Sequence, residues 1–405
     1  MKRTVNIVFA CVLLLAGFAL ADIGFKCEIL PGGLDEVSCD IAQDTPIPSL
    51  NTKTYNVYKT WYAFQKAFIA DVESKVKLAT GNVYIHFETD IDLGGYSATE
   101  NKCMNDDFSP LDFSSIPTTG EIYVDGDNNV IKNFCYIVEG VYASFFGDLT
   151  NIHVSNLAFD SAYVMAKFET STSTNAMAAV VADRAENTTF ENVKVSNSKV
   201  YGWNTAAVTY SAKNASFSNI QVDGVFLSLS EEVLKNCSNY KDLSKKVSYS
   251  GGVVAYLNEY AKFEKISVSN LTIPDSVSLI LQRVKADHEI AYNAGGIIGG
   301  VSVVMGTGQT SFSLQECAVS AEISGSTVGG LIGSVSATTI TDKSKFEVAN
   351  AVVSLKSGDY NGADKYHYVG GLVGALSWKN GEAELSKNKV DISVKNMDLN
   401  IWRDK

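Results

Sequence analysis

The chain has 405 residues, 46% of them apolar and 19% charged, with a formal net charge of −12. That composition can fill a large core and excludes a disordered chain, while the acidic balance argues against nucleic acid and anionic membrane as partners. Its length would suit two or three ordinary domains unless the chain is a repeat array.

The first expected element is a secretory signal peptide over residues 1–21. Lys2 and Arg3 precede an apolar run from Ile7 to Ala16, and Ala19-Leu20-Ala21 offers a small-x-small cleavage site before Asp22. The run is too short for a membrane span. No later stretch approaches a spanning length, so no transmembrane segment is expected after cleavage. A lipoprotein signal ending before Cys11 is discounted, because the apolar run continues past it. Removing the leader takes away Lys2, Arg3 and Cys11, leaving a charge of −14 and six cysteines. An even number in an exported chain permits disulfides. Cys27 and Cys39 flank a Pro-Gly-Gly turn and are paired first, and Cys103 with Cys135 second. Cys237 and Cys317 are read either as a third pair or as buried free thiols.

Residues 22–119 read as a disulfide-stapled lead-in with a helix that caps the first coil of the repeat region. Trp61, Phe64, Phe68, Val72 and Val76 recur at helical steps within 55–79, and Gly81 ends that pattern. Val83, Ile85 and Phe87 then alternate with Tyr84, His86 and Glu88 as a strand. Asp90-Ile91-Asp92-Leu93-Gly94-Gly95 reads as a strand end and turn, and 96–118 as a loop. Strands return at 122–124 and 130–137, around a turn at Asp125-Gly126-Asp127-Asn128-Asn129.

From residue 120 to 405 the chain repeats a doublet of small residues followed by an apolar pair. The units begin at Ala143, Ala178, Ala206, Gly251, Gly295, Gly329 and Gly370, at uneven steps of which Ala178 to Ala206 is the shortest and Ala206 to Gly251 the longest. Strand-like phrases follow most of them, starting at Phe190, Phe217, Phe263 and Phe346, with Leu385 to Val394 in the same place in the last unit. Small pairs let backbones bend or approach closely, and branched residues favour strands. One such unit cannot enclose its apolar face, but stacked units share a core. The expected fold is therefore all-β, a parallel β-helix (β-solenoid). The uneven steps are assigned to loops leaving the stack, the largest at 226–248 and 273–292. In the first loop, Ser230-Glu231-Glu232-Val233-Leu234 is expected to cap and start a short helix.

The phrases Gly330-Leu331-Ile332-Gly333 and Gly371-Leu372-Val373-Gly374 resemble the GLUG motif of secreted and surface bacterial proteins. Gly296-Ile297-Ile298-Gly299 matches with Ile for Leu, and the repeat motif takes in Gly295, Gly329 and Gly370 as the leading residues of these doublets. The lead-in phrases at Asp90 and Val130 are also similar. The four earlier units depart from the motif, with Ala for Gly or no final Gly. The resemblance is close from Gly295 to the end of the chain and loose over the units before it. It implies a right-handed parallel β-helix in a surface or adhesive setting, as in some surface proteins of fibre-degrading bacteria. It carries no catalytic residue.

Catalysis finds little support in the residues. A hydrolase needs converging carboxylates, yet Asp106-Asp107 lies before the repeats and no later Asp pair borders a strand. Arg184 and Arg283 are the only arginines between residues 4 and 402, and neither is expected to have an acidic partner phrase. His86, His153, His288 and His367 lack metal-ligand spacing, and no Gly-x-Ser-x-Gly elbow is present. Asp90, Asp92, Asp125 and Asp127 leave calcium open, although a turn explains the latter two without an ion. Trp203 and Trp378, near doublets, are the candidate carbohydrate contacts, while Trp61 is assigned to helix core. The N-x-S/T phrases at Asn187, Asn214, Asn236 and Asn270 are read as chance in a bacterial chain. The expectation is a non-catalytic exported protein, extracellular or at the cell surface, with outer-membrane-associated or periplasmic placement left open. It would act in adhesion or as a scaffold, with a surface glycan or extracellular protein as partner. The alternatives are a polysaccharide-active lyase or glycoside hydrolase, or a carbohydrate-binding module.

Overall fold

The computed structural model describes residues 24–29, 37–42, 83–87, 89–104, 108, 110, 113, 121–168, 175–235, 247–275, 292–303, 312–337, 345–357, 368–378 and 391–403. The signal peptide and the helix expected over 55–79 lie outside them. The described chain is almost entirely β, with one short helix at Glu231–Leu234. That helix starts where expected, with the Ser230 side chain accepting the Val233 N–H at 3.3 Å.

Two seven-stranded sheets flank the doublets. The pre-doublet sheet contains Tyr142–Ala143, Met177–Ala179, Asn204–Ala206, Ser248–Gly251, Tyr292–Gly295, Thr327–Gly329 and Tyr368–Gly370. The post-doublet sheet contains Leu149–Thr150, Ala182–Glu186, Thr209–Lys213, Val254–Leu257, Ile298–Val303, Ile332–Ala337 and Val373–Trp378. A broad third sheet takes the strands that come after these in each repeat. In all three, each strand pairs in parallel with its counterpart one repeat later, for example Phe190 with Phe217 and Phe217 with Phe263. One pass of chain through the sheets is therefore one rung of a stack. The broad sheet reaches N-terminally beyond residue 120, because Val37–Ala42 pairs in parallel with Val83–Phe87, and that strand pairs with Ile122–Asp125. Gly24–Ile29 adds to Val37–Ala42 antiparallel, with Cys27 opposite Cys39 in the register.

The register corrects two alignments made from sequence. Ala206 pairs with Ala179, not Ala178, so the second doublet begins one position later than the sequence pattern places it. The backbone of Phe145 bonds to that of Val180, which moves the first doublet to Ser144. The run Ala176-Met177-Ala178-Ala179-Val180 is small and apolar throughout, and a slip by one position is invisible until facing is known. Similarly, Leu314 pairs with Phe263 and Val348 with Leu314, so Val348 rather than Phe346 continues the column begun by Phe190. The loop expected at 96–118 also contains a small antiparallel pair, Tyr96 opposite Cys103.

The shared core runs along the stack. Phe190, Phe217 and Phe263 are buried and stack with nearly parallel rings, their centroids 5.1 and 4.8 Å apart, close to the spacing of paired strands. The doublets supply the bend between sheets. A Cβ on Gly252 would fall on the Gly296 carbonyl oxygen, and a Cβ on Gly296 on that of Gly330, so backbone occupies the space of a side chain.

Asparagine turns the corners of the broad sheet. Asn156, Asn192 and Asn219 all have φ near +50°, a region that Asn tolerates better than most residues. Their side chains chain together along the stack, Asn219 Nδ2 donating to Asn192 Oδ1 at 2.6 Å and Asn192 Nδ2 to Asn156 Oδ1 at 2.8 Å. Asn187, Asn214 and Asn270 are left-handed corners too. Backbone geometry thus accounts for three Asn residues read from sequence only as chance N-x-S/T matches.

Candidate functional site

Of the residues singled out from sequence, the nine repeat glycines sit at the doublet bends and build backbone, not chemistry. Trp203 is 2% exposed, and its indole N–H donates to the Val247 carbonyl at 3.3 Å. It packs near Phe168 and is a core residue, which corrects its place among the candidate carbohydrate contacts. The Trp378 side chain lies outside the described residues, as do Trp61, Asp106, Asp107, Arg283, His288, His367 and Cys237. Cys103 and Cys135 form the expected disulfide. Cys317 is a buried free thiol, its pKa pushed up to about 12 by burial. This settles that cysteine in favour of the free-thiol reading.

Three of the four calcium-candidate aspartates accept backbone N–H groups, and Asp127 stands in the turn that Asp125 caps. Asp92 Oδ1 accepts the Gly94 N–H and the Asn133 amide, both at 2.9 Å. Asp125 Oδ1 accepts the Asp127 N–H and the Asn156 amide, both at 3.0 Å. Asp90 accepts the Val130 N–H and pairs with Lys132, whose hydrogen bond holds its carboxyl below the usual range. Among the described residues, no group of three His, Cys, Asp or Glu could hold a metal ion.

Two side-chain clusters on the outer surface were not found from sequence. The first lies on the broad sheet, where neighbouring strands place Tyr123, His153 and Thr189 in register. The Tyr123 and His153 rings stack at 4.5 Å. His153 Nδ1 is 2.6 Å from Thr189 Oγ1, and its Nε2 is 3.2 Å from Glu121 Oε2. Tyr123 donates to the same Glu121 oxygen at 2.6 Å, and this bond holds the Glu121 carboxyl low.

The second cluster lies at the doublet bend, where the outer faces of the pre- and post-doublet sheets meet. Its floor is made of small residues, because Ala179, Ala206 and Ala255 are fully buried there and packed by Tyr210 and Tyr249. Around them stand half-buried rings. Tyr142 and Tyr210 lie 6.2 Å apart, and Tyr249 and Tyr256 5.1 Å apart. Arg184 lies over the Tyr142 ring at 5.2 Å and forms a two-pronged contact with Asp148, Nε to Oδ1 at 2.9 Å and Nη2 to Oδ2, which corrects the expectation that it lacks an acidic partner, since the pairing of rungs brings Asp148 to it from 36 residues away. Burial raises the Tyr210 and Tyr249 phenols.

Asp183 sits in the same bend, 6% exposed. Burial pushes its pKa up to about 7, held back by a hydrogen bond with Ser144 and raised further by Asp148. Its Oδ1 has no hydrogen-bond partner among the described residues. The sequence carried a weak signal for this cluster, since all four tyrosines lie close to a doublet. It could not show that side chains from different rungs converge across a bend, a fact that depends on register.

No family model matches the chain, and no curated protein matches it. Among solved structures it is similar to a "putative immunoglobulin A1 protease" from Bacteroides ovatus. The two are 16% identical with a TM-score of 0.39, over 78% of this chain and 83% of that one. A likeness at that level carries no functional argument.

Proposed function

We propose that the chain is an exported right-handed parallel β-helix that acts without catalysis, as an adhesive or scaffolding protein at a bacterial cell surface. The observation that carries this reading is the one-to-one parallel pairing of successive repeats through all three sheets. It makes a long, regular surface out of units that are unstable alone. The Cys103–Cys135 bond suits an oxidising compartment. The GLUG-like phrases fall at the bends of the last three doublets, which agrees with a repeat built for stacking. Reducing-sugar and unsaturated-product assays on plant and bacterial polysaccharides test the absence of catalysis. No turnover is expected, and reproducible turnover would end the claim.

One observation favours the second reading, a polysaccharide-active enzyme. Asp183, high in pKa, lies near Asp148, which is ion-paired with Arg184. A buried carboxyl with a raised pKa beside an ion-paired carboxylate is the kind of pair that an acid and a base on a glycosidic bond require. If that reading holds, Asp183→Asn abolishes any turnover found.

A further inference from the structure

We propose that the tyrosine-lined bend between the pre- and post-doublet sheets is a binding cleft for a linear neutral oligosaccharide. The inference rests on the adhesive reading above and names the ligand class through which adhesion would act. Three features of the bend point to a sugar.

The first is aromatic surface. Tyr142, Tyr210, Tyr249 and Tyr256 gather at one bend in two close pairs, of which Tyr210 and Tyr249 pack on the same three alanines. Rings with an apolar face and a polar tip suit the C–H faces and hydroxyls of pyranoses. The second is hydrogen-bonding capacity. The Arg184–Asp148 fork offers donors and acceptors side by side, with the Arg184 side chain 53% exposed. Because Asp148 neutralises Arg184, and the chain has a net charge of −12, the cleft does not favour a polyanion. The third is length. The pre-doublet strands of Tyr142 and Tyr249 are three pairings apart, through Met177 and Asn204. At about 4.8 Å per pairing that gives roughly 14 Å, enough for a short run of sugar rings along the stack.

The test is isothermal titration of the full secreted chain with four hexasaccharides, of β-1,4-linked glucose, xylose, mannose and N-acetylglucosamine. Saturable binding of at least one, at one site per chain, is expected. It should weaken tenfold or more in Arg184→Gln and in Tyr142→Ala, both of which alter partly exposed side chains, with circular dichroism unchanged. Lys262→Ala, on the broad sheet, should leave binding as it was. Absence of saturable binding to all four at millimolar concentration overturns the proposal, as does binding that both cleft variants leave intact. Cleavage of a bound hexasaccharide would refute the non-catalytic reading while keeping the cleft. Adhesion of cells displaying the chain without hexasaccharide binding would refute the cleft alone.

Discussion

Replacing Asp183 by Asn should make the protein more stable, and the gain should grow with pH. In the unfolded chain an aspartate titrates near its ordinary value of 3.8, whereas in the folded chain burial lifts Asp183 to about 7. Between those values the native state holds a proton that the unfolded state has lost, so stability falls as pH rises. The stability is fully present below the unfolded pKa and is lost as pH climbs towards the folded one. At about 1.36 kcal/mol per unit, the group costs roughly 1.5–2 kcal/mol at pH 5 and roughly 4 kcal/mol at pH 8. The wild type should therefore lose about 2–3 kcal/mol from this residue between those pH values. The amide of Asn has nearly the same shape, can still bond Ser144 and carries no charge. Paired urea denaturation of wild type and Asp183→Asn at pH 5 and 8 checks this through the difference between the two proteins, because stacked repeats can unfold in stages. A stability difference that stays the same at both pH values, or a variant less stable at pH 8, would refute the reasoning.

Two further outcomes follow from the backbone. Gly252→Ala should destabilise by about 2–4 kcal/mol, since its methyl meets the carbonyl of Gly296 in the next rung; the thermal midpoint reports it, and a wild-type midpoint would show that the bend is not tight. Asn192→Ala should cost about 1–2 kcal/mol, for the left-handed corner and for two amide bonds in the chain of asparagines, whereas Asn192→Gly should recover the corner part only. Equal midpoints for the two variants would mean that backbone strain contributes nothing there.

Much of the β architecture was legible in the sequence, because the doublets mark bends with residues that only backbone crowding demands. The strands at 83–87 and 122–124, the helix after Ser230 and the Cys103–Cys135 bond were readable, whereas the single strand expected at 130–137 is two, Val130–Lys132 and Cys135–Glu139, parted by a left-handed corner at Asn133. Register was not readable, since Ala178 and Ala179 are interchangeable until an inward face is known. The bend cluster was hidden for a related reason. Tyr142, Arg184, Tyr210 and Tyr249 belong to different rungs, and only pairing along the stack brings them to one place. Trp203 misled because nearness to a doublet says nothing about facing, and its large apolar ring filled the core.

The unequal steps between doublets have a practical consequence. The rung from Ala179 to Ala206 is the shortest, yet the next, from Ala206 to Gly251, is far longer and still returns to the same partners. Register is thus written at the bends and corners, and the greater length between Phe226–Ser228 and Ser248–Gly251 does not shift it. The number of residues between two rungs is therefore free to vary while the pairing of the rungs is kept.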